Sequence, residues 1–195
     1  MVPVTTQAHR LIRQFVSPGD TVIDATAGNG HDTLFLAELT GANGTVYAID
    51  VQANACEACL RRLTSAGIRH AHILTGDHAE LLSWIPRSRH GTVAAVMFNL
   101  GYLPGGNKQI ITQPESTRQA LSAALTLLRP GGIISVVVYR GHPGGNTEAL
   151  TVEAWLADAA RQGHHLLETA VPETASSETG PMLLALEKRI LEKRI

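Results

Sequence analysis

Five apolar runs, each followed by a segment of helical character, constrain this chain more than any other feature. The runs are Thr21–Ala25, Thr45–Asp50, Ala71–Thr75, Val93–Asn99 and Ile133–Val138. Helical patterns occupy His31–Leu39, 52–66, a short piece near 78–84, 114–128 and 147–162. Strands that alternate with helices close into a parallel sheet covered on both faces. The fourth run is apolar up to its last residue, as a strand buried on both sides should be. An opening helix is expected over 5–16, with turns at Ser17-Pro18-Gly19-Asp20 and Gly41–Gly44. Gly67 reads as the residue just past a helix end. Arg129-Pro130-Gly131-Gly132 reads as a breaker. His165–Ala170 and Pro181–Leu186 are expected to finish the sheet as a hairpin with the last strand antiparallel. The expectation is one α/β domain over residues 1–187: a Rossmann-like, seven-stranded, mostly parallel sheet. Residues 188–195 complete a repeat, EKRI-Leu191-EKRI, and read as a charged tail.

Composition excludes several classes. With 44% hydrophobic and 17% charged residues in a chain of 195, the sequence can bury a sizeable core and is not a disordered one. No apolar run approaches the roughly 18 residues that span a bilayer. The N-terminal stretch lacks a signal-peptide pattern, so a cytoplasmic location without membrane partners is expected. A net charge of −1 gives no global basic footprint, so any nucleic-acid contact must be local. Cys56 and Cys59 form a C-x-x-C inside helical sequence with no second pair, and read as structural thiols. The nine histidines include no H-E-x-x-H, and no metal is expected. Trp84 and Trp155 read as core residues on helix faces.

The loop after the first run, DATAGNGHDT from Asp24 to Thr33, is where an open parallel sheet takes its ligand. Three ligands compete. A triphosphate cradle needs G-x-x-x-x-G-K-[ST], and no lysine stands here. A nicotinamide fingerprint wants a third glycine where this chain has Thr33. A methyl donor, S-adenosylmethionine, carries an ammonium and a sulfonium and no pyrophosphate. Acids beside its loop are therefore not repelled. Asp24, Gly28, Asn29, Gly30 and Asp32 suit it, with Thr26 where a glycine is more usual. Asp50 ends the second run about 20 residues on, the place for ribose hydroxyls. Gln52 follows it. Asp77 and His78 follow the third run, within reach of an adenine amino group.

The fourth run ends Asn99-Leu100-Gly101-Tyr102. An asparagine carbonyl and a backbone carbonyl at a strand tip can accept N–H groups and steer a nitrogen lone pair. Tyr102 can stack on a base. This loop resembles the N-P-P-Y loop of amino methyltransferases, without its two prolines.

DATAGNGHDTLFLA, Asp50-Val51-Gln52, FNLGYLPGGNK and LLRPGGIISVVVYRGHPGG together resemble a bacterial family of small methyltransferases, formerly labelled rRNA methylases. Its characterised members are tRNA 5-(aminomethyl)-2-thiouridine methyltransferases. The resemblance implies a donor site at Asn29, Asp32, Asp50, Gln52, Asp77 and His78. It implies an acceptor pocket from the Asn99–Lys108 and Tyr139–Gly145 loops. On that reading Asn99, Tyr102 and His142 serve catalysis, and Leu100, Gly101, Lys108, Tyr139 and Arg140 hold the substrate. The partner is a tRNA anticodon stem-loop, with a homodimer expected because a small neutral domain offers limited grip. The same donor with rRNA or a small amine as acceptor, a nicotinamide oxidoreductase, and a non-catalytic RNA-binding module are the alternatives.

Overall fold

The computed structural model describes residues 2–102, 111–141, 143–167 and 180–190. Seven strands form one sheet in the order β3-β2-β1-β4-β5-β7-β6. They are β1 (Thr21–Asp24), β2 (Thr45–Asp50), β3 (Ala71–Thr75), β4 (Val93–Leu100), β5 (Leu128–Tyr139), β6 (His165–Leu167) and β7 (Pro181–Glu187). Strands β1 to β5 pair in parallel. Strand β7 runs antiparallel to both β5 and β6, as the expected hairpin requires.

Side chains alternate across this sheet with period two. Val22, Val46, Ala95, Met97, Ile133 and Val137 face α1 (Val4–Ile12) and α2 (His31–Thr40). Their neighbours Ile23, Tyr47, Val96, Phe98, Ile134 and Val136 face the other layer. That layer holds α4 (Leu81–Trp84), α5 (Pro114–Leu127) and α6 (Gly145–Arg161). Helix α3 (Ala53–Ser65) covers the β2–β3 edge through Cys59 and Leu63, which pack on Ala48. Both cysteines are buried free thiols, and burial pushes the Cys59 thiol up to about 11. Trp84 and Trp155 pack against the core while keeping part of their surface in water.

Two boundaries depart from the sequence reading. The opening helix ends at Ile12, and residues 14 and 15 continue in tight turns on Leu11 and Ile12 carbonyls. The Arg129–Gly132 segment ends α5 but does not interrupt the strand. It is a bulge within β5, where the pairing shifts from Val93↔Leu128 to Ala95↔Ile133. Lys188 pins that bulge. Its N–H donates to Gly132 O at 2.8 Å, its carbonyl accepts from Gly131 N at 2.7 Å, and its ammonium reaches Leu128 O at 2.7 Å. Lys188, the first residue read as tail, thus follows β7 directly and bonds back to β5; residues 191–195 lie outside the described chain.

One glycine is dictated by packing. Gly30 precedes α2 with φ +78°, and a Cβ there would sit 2.8 Å from Cys59 Cα and 2.9 Å from its sulfur. Helix α3 therefore passes directly against the loop backbone. Gly30→Ala is expected to destabilise the fold by roughly 2–5 kcal/mol, combining a left-handed alanine with overpacking. Chemical denaturation measures this. Adding Cys59→Ala should recover only a fraction, because the backbone contact persists.

Candidate active site

Strand order reverses at the β1–β4 pair, since the chain moves outward one way through β2 and β3 and the other way through β5. Loops leaving β1 and β4 diverge there and open a crevice at the carboxyl ends. A cleft of about 790 Å³ occupies this position, large enough for a nucleoside-sized ligand. Residues from the ends of β1, β2, β3, β4 and β5 line it, joined by Thr5 and His9 of α1. Among the described lining residues three carboxylates occur, Asp32, Asp50 and Asp77, and no lysine or arginine. Such a wall favours a cation and opposes a pyrophosphate.

The β1 loop is held from several sides. Asp24 is fully buried and does not reach the cleft. Its carboxyl accepts Thr33 Oγ1 at 2.6 Å and Thr26 N at 3.2 Å. Burial, with the nearby Asp32 carboxylate, pushes it up to about 7. Thr33 thus fills the place of a third glycine with a hydroxyl that satisfies the acid beneath it. Asp50 accepts Gly28 N and Gln52 N, both at 2.9 Å, one on each oxygen. Each oxygen keeps a second lone pair for a ligand hydroxyl. Asn29 O accepts Arg62 Nε at 2.7 Å. Asp24 and Gly30, read from sequence as ligand contacts, act instead beneath the loop. The acid there is sealed by Thr33, and the glycine is turned toward α3.

The β3 end supplies Asp77 and His78. Asp77 Oδ1 caps a 3-10 turn, His78–Glu80, by accepting Ala79 N at 2.9 Å. His78 is buried with Nδ1 3.3 Å from Ala25 O and its ring edge-on to Phe98. Burial lowers its basicity. Gln52, Leu100 and Gly101 also line the cleft.

The β4 end carries the acceptor loop. Asn99 N donates to Thr26 Oγ1 at 2.7 Å, which stitches the two loops together and gives Thr26 its purpose. Asn99 Nδ2 donates to Asp32 Oδ2. Asp32 Oδ1 in turn takes His9 Nε2 at 2.6 Å. Asp32 therefore bridges His9 and Asn99, one on each oxygen, while still lining the cleft. Among the described residues, Asn99 Oδ1 is buried with no hydrogen-bond partner. Buried acceptors are seldom left so, and an unfilled one in a cleft residue calls for an explanation.

Beyond Asn99, Gly101 exchanges two hydrogen bonds with Thr112: Gly101 N to Thr112 Oγ1 at 2.9 Å, and Thr112 N to Gly101 O at 3.0 Å. Thr112 Oγ1 donates to Glu148 Oε2 at 2.6 Å, and Thr117 Oγ1 to Glu148 Oε1 at 2.7 Å. A bridge between Tyr102 and Ile111 closes the loop ends. Tyr102 lines the cleft with 41% of its surface exposed. Tyr139 also lines it, and burial, then Asp32, holds its phenol protonated. Arg140 does not face the cleft. Its Nε donates to Gly180 O at 2.9 Å, so its guanidinium turns toward the start of β7. Lys108 and His142 lie outside the described residues.

His9, His31, Thr112 and Glu148 were not singled out from sequence. Each acts through a partner 11 to 36 residues away, which no local pattern encodes.

Comparison with known proteins agrees with this geometry. Residues 46–187 match the family described as "Putative rRNA methylase". The chain belongs to this family. A "tRNA (mnm(5)s(2)U34)-methyltransferase, chloroplastic" of Arabidopsis thaliana is 44% identical over 160 residues, covering 77% of this chain and 58% of that protein. The chain thus spans a little over half the length of that curated relative. Among solved structures, the "putative rRNA-methylase from Clostridium thermocellum" superposes with a TM-score of 0.88 at 39% identity, covering 96% of this chain and 98% of that one. A "putative methyltransferase from Streptococcus mutans in complex with SAH" gives 0.83 at 29% identity, covering 96% and 99%. The fold is thereby that of the Rossmann-like methyltransferases, and the cofactor of these enzymes is S-adenosylmethionine. No helix of the described residues is long and apolar enough to cross a membrane.

Asp24 makes the fold pH-dependent. A carboxyl raised in the folded state stabilises fully below its unfolded value of 3.8, and loses that contribution as pH climbs to about 7. Asp24→Asn is neutral throughout. It should match the wild type near pH 4 and exceed it by on the order of 3–4 kcal/mol at pH 8, by denaturant unfolding. Parallel curves for the two proteins would refute the assignment.

Proposed function

We propose that the chain transfers a methyl group from S-adenosylmethionine to the primary amine of 5-aminomethyl-2-thiouridine at the tRNA wobble position, giving the 5-methylaminomethyl nucleoside. The observation that carries this reading is the unpartnered Asn99 carbonyl oxygen at the tip of β4, among residues lining the cleft. The 44%-identical relative named for the same nucleoside supports it.

The bound cofactor supplies an electrophilic methyl on a sulfonium that needs no further activation. The acidic wall fits its charge, Asp50 has lone pairs for ribose hydroxyls, and Asp77 Oδ2 remains open to an adenine amino group. Asn99 Oδ1 accepts one N–H of the amine and fixes its orientation; positioning is most of the catalysis such a transfer needs. The amine must arrive or become neutral. Burial disfavours its ammonium form. Burial favours the neutral imidazole of His78, whose ring can relay the proton through water. Tyr102 offers a ring face to a base splayed from the anticodon loop. Lys108 and His142 remain candidates for flanking phosphates and proton relay. A homodimer would widen the surface available to an anticodon arm, and the chemistry belongs to the cytoplasm.

Nucleoside mass spectrometry of undermodified tRNA, before and after incubation with enzyme and cofactor, tests the reading. The 5-aminomethyl-2-thiouridine peak should convert to its methylated form. Methylation confined to rRNA or to free amines would overturn it. Asp50→Ala should weaken cofactor binding by at least about 10²-fold in calorimetry, losing both the ligand contact and the Gly28 tether. Asn99→Ala should bind cofactor normally and transfer the methyl roughly 10²-fold more slowly.

A further inference from the structure

Helix α1 contributes a histidine to the cleft that no sequence pattern indicated. We propose that His9 is a positioning residue for the methyl acceptor: through Asp32, its ring N–H fixes the Asn99 amide so that Oδ1 is presented to the substrate. This rests on the reading of Asn99 Oδ1 as the amine's acceptor.

The chain of contacts is continuous. His9 Nε2 meets Asp32 Oδ1 at 2.6 Å, and Asp32 Oδ2 meets Asn99 Nδ2. An ionised carboxylate only accepts, so both neighbours must present N–H groups to it. That requirement fixes the imidazole with its proton on Nε2. It also fixes the amide with nitrogen toward Asp32 and oxygen away. A flipped amide would set Oδ1 against a carboxylate oxygen.

Two features hold His9 in place. Its ring stacks on Phe35 with centroids 3.8 Å apart and planes within 3°. Arg13 lies over the same phenyl ring at 4.9 Å. Helix α1 is itself anchored through buried Ala8 and Ile12. Asp32 is 8% exposed. Without His9 it is a buried carboxylate missing half its partners, close to the buried Asp24. With one of its two hydrogen-bond partners gone, the carboxylate is free to turn, and the Asn99 amide is no longer held with its nitrogen toward Asp32.

The stack and the N–H can be separated. His9→Phe keeps an aromatic ring on Phe35 and removes the donor. His9→Gln keeps a donor amide and removes the ring. In single-turnover and steady-state assays on amine-bearing tRNA, His9→Phe should lower kcat by roughly 30-fold with KM and cofactor affinity within about twofold; His9→Gln should recover most of the rate. A fully active His9→Phe, or a His9→Gln as impaired as His9→Phe, overturns the proposal, because stacking or bulk would then explain the conservation of activity. Two readouts do not depend on turnover. Long-range ¹H–¹⁵N spectra of the wild type should show His9 protonated on Nε2, and an unprotonated Nε2 overturns the proposal even if neither variant folds. The Asn99 side-chain amide resonances should shift in His9→Phe and return in His9→Gln; unchanged resonances overturn it. Should wild-type enzyme leave the tRNA amine untouched, the substrate reading fails, while these resonances still decide the role of His9.

Discussion

Carboxylates at the ends of neighbouring strands hold the loop from Asp24 to Thr33 in one shape, and the site is built on that hold. Asp24 grips the loop from below through Thr26 and Thr33. Asp50 grips it from the side through Gly28. A glycine-rich loop left to itself would sample many conformations, and fixing each residue costs about 1–2 kcal/mol of entropy. Hydrogen bonds to charged groups offset that cost more fully than neutral ones. The parallel register of β1 and β2, Asp24 beside Ala48, brings the two acids to successive positions around the loop. Alignment of the sheet thereby becomes alignment of the site.

The arrangement concentrates negative charge where a cation is to bind, and the fold bears the cost. Asp24, Asp32 and Asp50 all act on one short segment, and burial first, then the neighbouring Asp32 charge, makes Asp24 hold its proton well above the usual carboxylate range. Backbone N–H groups, the Thr33 hydroxyl, the Asn99 amide and the His9 imidazole, rather than lysines or arginines, satisfy these acids. A guanidinium inside the cleft would neutralise the wall and compete with the ligand. The nearest arginine to the loop, Arg62, bonds the outer carbonyl of Asn29. Arg140 is turned away to Gly180.

Much of the fold could be read from the sequence because its signals are local. The alternation of apolar runs and helical patterns located β2 and β3 to the residue, and Gly67 stands at φ +72° just past α3. The Pro-Gly-Gly of β5 misled, since a breaker ends α5 yet a bulge lets the strand continue, provided Lys188, about 60 residues on and just past β7, supplies partners to it. In the site, the placement of Asp50, Asp77 and Asn99 along one cleft was legible because topology places strand ends together. The side-chain surroundings of Asp24, Gly30 and Asp32 were not. Whether an acid faces a ligand or a threonine depends on side-chain direction, and whether a glycine serves a ligand or a helix depends on what packs behind it. His9 and Glu148 were invisible for a related reason: each joins the site by tertiary packing alone.

Beneath the cleft floor, the Trp84 ring lies so close to Gly76 that a methyl group there would meet it at 2.3 Å, and the indole N–H reaches Asp77 O at 3.3 Å. The other tryptophan, Trp155, is bonded to Ser122 on the α5–α6 layer. The molecule thus carries its own optical gauge. Any occupant that presses on Gly76 or draws on Asp77 alters the polarity around one indole and leaves the second as an internal reference, so the emission spectrum reports filling of the β3 end of the cleft without an added label.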